Sequence, residues 1–267
     1  VNERARRYGL PSVVMMFEPQ PREYFSREQA PARLMRLREK VDALLNAGVD
    51  RVVCLQFNRA MRSLTAQQFV DDLLVRGLGI KGLVIGDDFH FGCDRKGDFA
   101  MLKQVGVAHD FEVVATGTLK ADRERVSSTR IRAELEAGRF DTASALLGRP
   151  FRISGKVVYG QQLGRKLGVP TANVNLHRYR APLSGVFAVE VLHKGERVQG
   201  VANVGLRPTV GDLIKPVLEV HMLDWVGNIY GQRIAVEFKQ KLRDEHKFTT
   251  LDELVININQ DIKTARG

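Results

Sequence analysis

The sequence predicts an α/β domain followed by a small antiparallel β-barrel that ends in a helix. Three observations predict this. Up to about Gly148, short apolar runs alternate with segments of helical period, the order of a parallel, doubly wound sheet. At Gly148-Arg149-Pro150 that order breaks, and short alternating segments separated by turns take over, as in a barrel or sandwich. A last helical pattern opens at Thr250 with Glu253 in capping-box spacing, and it carries Leu254, Ile258 and Ile262 on one face. Two domains follow, 1–148 and 149–267.

The elements justify themselves in order. "SVVMMF" (Ser12–Phe17) suits a strand buried on both faces. "FEPQPREYF" leaves that strand into a proline-stiffened loop, with Arg22 available to anions. "RLMRLREKVDALLNAG" puts Leu34, Leu37, Val41, Leu44 and Leu45 on one helical face and stops at Gly48. "DRVVCLQF" is the next strand. "TAQQFVDDLLVRG" opens on Thr65 with Gln68 in capping-box spacing and ends at Gly77. "KGLVIG" is a third strand, followed by a helix near Asp98–His109 and the strand "FEVVAT". "SSTRIRAELEAG" begins a helix at Ser127 or Ser128, and "RFDTASALLG" is one more short helix. The barrel strands are sought in "FRISGKVVYG", "GVFAVEVLHKG", "RVQGVANVG", "VLEVHMLDW" and "RIAVEF".

No apolar run reaches the length that spans a bilayer. Cys54 and Cys93 lack metal-ligand spacing and read as reduced thiols of a cytoplasmic protein. The net charge is +10, and it lies mostly in the second half: residues 149–267 carry 18 basic against 11 acidic side chains, residues 1–148 carry 23 against 20. Such an excess suits an anionic partner, either a nucleic acid or a phosphorylated small molecule.

Four motifs carry chemistry. "VSSTRIR" places hydroxyls and Arg125, Arg130 and Arg132 at a helix start, where free N–H groups and the helix dipole favour an anion; plain capping explains the same residues. "VIGDDFHFG" ends a strand with Asp87 and Asp88, where open α/β sheets take ligands. "SGKVVYGQQLGRKLGVPTAN" interleaves glycines with Lys156, Arg165 and Lys166. Glycines let backbone N–H groups approach phosphate, although this is not P-loop spacing. Thr171 and Asn173 close that stretch at i and i+2, so in an extended segment both face one side, and their neutral oxygens can complete a Mg²⁺ shell built from phosphates and water. Glu219 alternates with Leu218 and Val220 in "VLEVHML". It is either a solvated strand residue or a general base for a hydroxyl nucleophile.

The ordered set "FEPQP…GDDFHFG…VSSTRIR…LLGRPF…GRKLGVPTAN…GVFAVEV…GVANVGLRPTV…LEVHMLDW…LRDEHKF" resembles the bacterial bifunctional riboflavin kinase/FMN adenylyltransferase family, also called FAD synthetases, over nearly the whole chain. The resemblance implies a nucleotidyltransferase-like (Rossmann-like) first domain and a kinase barrel. It implies ATP and Mg²⁺, and riboflavin, FMN and FAD as substrates and products. In the kinase it implies Thr171 and Asn173 as Mg²⁺–nucleotide ligands and Glu219 as the catalytic base. Lys156, Gly160 and Gly168 then lie in the nucleotide loop, with Arg207, in a loop, and Arg243 on the flavin side. In the adenylyltransferase it implies Ser128, Thr129 and Arg132 at phosphate, Arg125 as a helper, and Asp88 and Phe89 beside flavin or adenine.

The sequence departs from the family pattern at one point. The family opens on a strand and a G-x-F-D-G-x-H-x-G-H element, and this sequence starts "VNERARRYGL" without them. The expectation is therefore an N-terminally truncated chain with an incomplete first domain, retaining the kinase and losing adenylyl transfer. Two alternatives stand beside it: a basic RNA-binding barrel, against which the scattered aromatics of the second half count, and a nucleotidyltransferase acting on another phosphate ester. No nucleic-acid or membrane partner is expected.

Overall fold

The computed structural model describes residues 1–93, 95–160, 164, 167–208 and 214–267, with only the backbone at 207, 208, 214 and 215. The chain divides into two compact units, Val1–Ala30 with Leu37–Leu119, and Pro31–Arg36 with Lys120–Gly267.

The first unit runs α1 (Asn2–Tyr8), β1 (Val13–Glu18), α2 (Pro21–Phe25), α3 (Leu37–Asn46), β2 (Arg51–Gln56), α4 (Arg59–Ser63), α5 (Ala66–Gln68, continuing as a π-helix over Phe69–Gly77), β3 (Gly82–Ile85), α6 (Phe99–Ala108) and β4 (Glu112–Ala115). The expected helix starts are where local chemistry puts them. The Thr65 side chain accepts from the Gln68 N–H while the Gln68 side chain accepts from the Thr65 N–H. The Asp98 carboxylate accepts from the Met101 N–H at 2.8 Å. Val70, Leu74 and Leu102 form the centre of this unit's core.

Four expectations for this half are corrected. The single doubly wound sheet is two parallel pairs, β1–β2 and β3–β4. Between them lies a cleft of about 720 Å³, lined by Val13, Val14 and Met15 on one side and Leu83, Val84 and Ile85 on the other. "PREYF" is a short helix rather than a loop, because Pro21 suits the first helical position and Glu23 caps the Gln20 N–H. The helix expected from Arg33 begins only at Leu37. Its first residues are drawn into the second unit, where Leu34 packs on the barrel core, and the Arg178 guanidinium donates to the Arg33 carbonyl at 2.8 Å. Finally, the Thr65 helix loosens to π geometry, with the Leu78 N–H reaching the Leu73 carbonyl at 2.9 Å.

The second unit contains the hairpin β5 (Lys120–Ala121) and β6 (Glu124–Arg125), α7 (Ser128–Glu136) and α8 (Phe140–Leu147), and the barrel strands β7 (Arg152–Val158), β8 (Ala172–Val174), β9 (Gly185–His193), β10 (Glu196–Pro208), β11 (Ile214–Met222) and β12 (Arg233–Arg243). It ends with α9 (Leu251–Arg266). The six barrel strands close in the order β10-β11-β8-β7-β12-β9. Closure satisfies every edge. Alternation sends Ile153, Val157, Phe187, Val191, Ala202, Leu218, Val220 and Val236 inward, each at most 1% exposed. Ile131 and Leu135 of α7 and Phe140, Ala143 and Leu146 of α8 belong to that same core. Packing therefore divides the chain after Leu119, where the sequence pattern divides it at 148/149.

Glu237 is 2% exposed. It accepts from Arg152 Nε at 2.7 Å and from Lys239. Burial pushes its carboxyl up, but the hydrogen bonds and charges of Lys239 and Arg152 outweigh that and hold it below the usual glutamate range.

Candidate active site

Because Leu218 and Val220 point into the barrel, Glu219 between them points out. The same alternation sets Asn173 outward between Ala172 and Val174, and Asn203 between Ala202 and Val204. The strand registers then join these residues into one row. Asn173 lies opposite Glu219, Glu219 opposite Asn203, Asn203 opposite Val186, and Val186 opposite Arg243. Five strands thus bring one residue each to the wall of a cavity of about 250 Å³. Leu254, Ile258 and Ile262 of α9 form its apolar side, and Thr171, His221, Glu245 and Phe248 also line it.

Three local devices hold this wall. His221 shares a face with Glu219, and its Nδ1–H donates to the Pro170 carbonyl at 2.8 Å, which ties "PTAN" to β11. A side chain at 160 would run into the Asn173 amide, so glycine there gives that amide its place. Gly168 adopts φ +78°, a left-handed conformation that glycine takes without strain, and the Val169 N–H donates to the Gly164 carbonyl at 2.8 Å.

Arg243 is fixed from two directions. Its Nε donates to Asp261 Oδ1 at 3.1 Å and its Nη2 to Oδ2 at 2.8 Å, and its guanidinium lies 5.4 Å from the centre of the Phe248 ring. Asp261 is 6% exposed. Sequence reasoning missed it, although an acid at i+7 on the Leu254, Ile258, Ile262 face was the signal: an apolar helix face keeps a carboxylate only with a partner.

Of the residues expected in the kinase site, Thr171, Asn173, Glu219 and Arg243 meet in this cavity; Lys156, Gly160 and Gly168 are not among its lining residues. Lys156 is exposed on β7. Arg207, expected in a loop, has its backbone in β10 opposite Lys215, and its side chain lies outside the described residues. Arg165 and Lys166 lie outside them too.

The residues expected for adenylyl transfer fall in different units. Asp88 and Phe89 belong to the first unit, where Phe89 stacks on Phe91 with centroids 5.6 Å apart. Arg125, Ser128, Thr129 and Arg132 belong to the second. There the Ser127 hydroxyl caps α7 by accepting from the Arg130 N–H at 3.2 Å, leaving Ser128 and Thr129 exposed on the first turn beside exposed Arg125. Arg132 turns away, and its Nε donates to the Ala32 carbonyl at 2.6 Å.

The second unit is thus a closed six-stranded barrel with an outer-face cavity, largely apolar, whose wall carries a carboxylate between two amides and a guanidinium at the end of the row. A riboflavin kinase family model matches residues 147–267, and an FAD synthetase model matches residues 1–130. The chain is 53% identical over its whole length to a bifunctional riboflavin kinase/FMN adenylyltransferase of Pseudomonas fluorescens, 86% of which it covers. It is 49% identical to the protein of that name from Escherichia coli K12, with 85% covered. A solved Streptococcus pneumoniae structure, described as a macrolide-efflux protein, matches the whole chain at 30% identity with a TM-score of 0.77, and 86% of that protein is covered. The chain belongs to the bifunctional riboflavin kinase/FMN adenylyltransferase family. No described helix is long and apolar enough to cross a membrane. Nothing in these matches supports loss of the second activity, because the FAD synthetase model covers the first unit.

Proposed function

We propose that the barrel cavity phosphorylates riboflavin and that the residues around the α7 start and the Asp88–Phe89 loop serve adenylyl transfer to the FMN so formed. The row from Asn173 through Glu219 to Arg243 carries the first half of this reading. Glu219 accepts the proton of the terminal ribityl hydroxyl. That oxygen attacks the γ-phosphorus of ATP, the bond from this phosphorus to the β,γ-bridging oxygen breaks, and ADP leaves. Arg243, held by Asp261 and backed by Phe248, orients the flavin. Gly160 and Gly168 serve the nucleotide side with Lys156, and Arg207 joins Arg243 on the flavin side.

Among the described residues no three His, Cys, Asp or Glu side chains gather as a metal cage. The neutral oxygens of Thr171 and Asn173 in the cavity suit Mg²⁺, which takes few protein oxygens and keeps phosphates and water. Thr171 and Asn173 would hold it, and when bound it neutralises phosphate charge. For adenylyl transfer, Ser128 and Thr129 offer hydroxyls and N–H groups to phosphate at the α7 start, with Arg125 beside them and Arg132 positioning the adjacent segment. Free thiols at Cys54 and Cys93 suit the cytoplasm.

The test is product analysis after incubation with riboflavin, ATP and Mg²⁺. FMN is expected, followed by FAD. No FMN would remove the kinase reading; FMN without FAD would return the expectation that adenylyl transfer is lost. Glu219→Gln should lower the FMN rate by about 10²–10⁴-fold while nucleotide still binds, and near-wild-type turnover would exclude Glu219 as the base.

A further inference from the structure

We propose that Asn203 determines specificity in the barrel cavity: its side-chain oxygen accepts a hydrogen bond from a secondary hydroxyl of the substrate's polyol chain and so sets the terminal hydroxyl against Glu219. This rests on the kinase reading above and goes beyond it, since neither the motifs nor the resemblance assigned this residue a role.

Three observations converge. Asn203 lies directly opposite Glu219 in the β10–β11 register, on the same outward face. It lines the cavity with Glu219, Asn173 and Arg243. Its Oδ1 is buried and has no hydrogen-bond partner among the described residues. Native chains leave few buried acceptors unpaired, because each forfeits its hydration with nothing in return. Where such an acceptor borders a ligand cavity, the ligand can supply the missing donor.

The surroundings say what kind of donor. Val186 lies across the strand from Asn203 and Val201 shares its face, and both line the cavity. On the other side stands Glu219, which as a carboxylate can only accept. The matching group is therefore a neutral hydroxyl that donates to Asn203, on a chain whose next hydroxyl donates to Glu219. Directly opposite side chains on neighbouring strands begin about 4.5–5.5 Å apart, a span on the order of a short polyol. A flavin whose side chain carried only a terminal hydroxyl would leave Asn203 as unpaired as it is without substrate.

A double-mutant cycle tests this. The initial rate of phosphorylation is measured for the full chain and for Asn203→Leu, with riboflavin and with a flavin bearing an unbranched 5-hydroxypentyl group at N10. With riboflavin, Asn203→Leu should lose about 10–100-fold in kcat/KM, with the KM for ATP unchanged. With the hydroxypentyl flavin the two proteins should agree within about twofold. Asn203→Ser, which keeps an oxygen acceptor, should recover part of the riboflavin rate. Equal losses on both flavins would make Asn203 a structural residue and overturn the proposal, as would no loss on riboflavin. Failure of the unsubstituted chain to phosphorylate riboflavin would instead remove the kinase reading itself. Removing an unpaired acceptor should leave the melting temperature of Asn203→Leu at or above that of the parent; should the leucine not fold, Asn203→Ala carries the same comparison.

Discussion

The two units solve the same problem unequally. The second closes six strands into a ring and buries 24 apolar residues in one cluster; the first leaves its strands as two separate parallel pairs over a cluster of seven, among the described residues. A closed ring has no strand edge to satisfy, whereas β1 and β3 both border a cleft of about 720 Å³. Stability per residue should therefore be lower in the first unit, and unfolding should proceed in two steps. The difference also bears on function. The barrel cavity is built from strand register, which is rigid, while the Asp88–Phe89 loop stands on the more open unit.

The largest perturbation should come from Phe187→Ala. Phe187 is fully buried at the centre of the barrel core, and its removal should cost about 3–5 kcal/mol. In denaturant the later of two transitions should move and the earlier stay. One transition moving as a whole would break the contrast between the units.

Next comes Glu237→Gln, which weakens the buried network to Arg152 and Lys239 and should cost about 1–3 kcal/mol near neutral pH. The native carboxyl sits below its ordinary value, so its contribution is fully present above the unfolded glutamate pKa of about 4.3. It fades as pH falls through the lower native value. The parent and the variant should accordingly converge in acid; a gap that widens there would contradict this.

The smallest effect belongs to the first unit. Asp50 accepts from the Ser12 N–H and hydroxyl at 2.8 Å, and those bonds hold its carboxyl below the usual range. Asp50→Asn should lower only the earlier transition. The loss should vanish as pH falls below the usual aspartate range, with protonation of the parent carboxylate.

Legibility followed distance along the chain. The caps at Thr65 and Thr250 lie within three residues of the N–H groups they satisfy, and both were readable; near Asp98 and Ser127 the helix start was readable but not which residue caps it. The outward face of Glu219, which needs only strand alternation, was readable too. The 31–36 segment was not readable, because its partners Arg149 and Arg178 stand 114 and 145 residues away from the atoms they hold. Asn203 was invisible for a related reason: "GVANVG" is an unremarkable strand until register sets it beside Glu219.

That embedded segment also has a consequence in time. Arg33 leaves the ribosome 145 residues ahead of Arg178, whose guanidinium its carbonyl receives. At about 5–20 residues per second the delay is roughly 7–30 s. For that interval residues 31–36 have no barrel to join, while Val1–Ala30 already exists and Leu37–Leu119 is being made. Synthesis in the order N to C thus completes the second unit with a piece of chain that has waited longest.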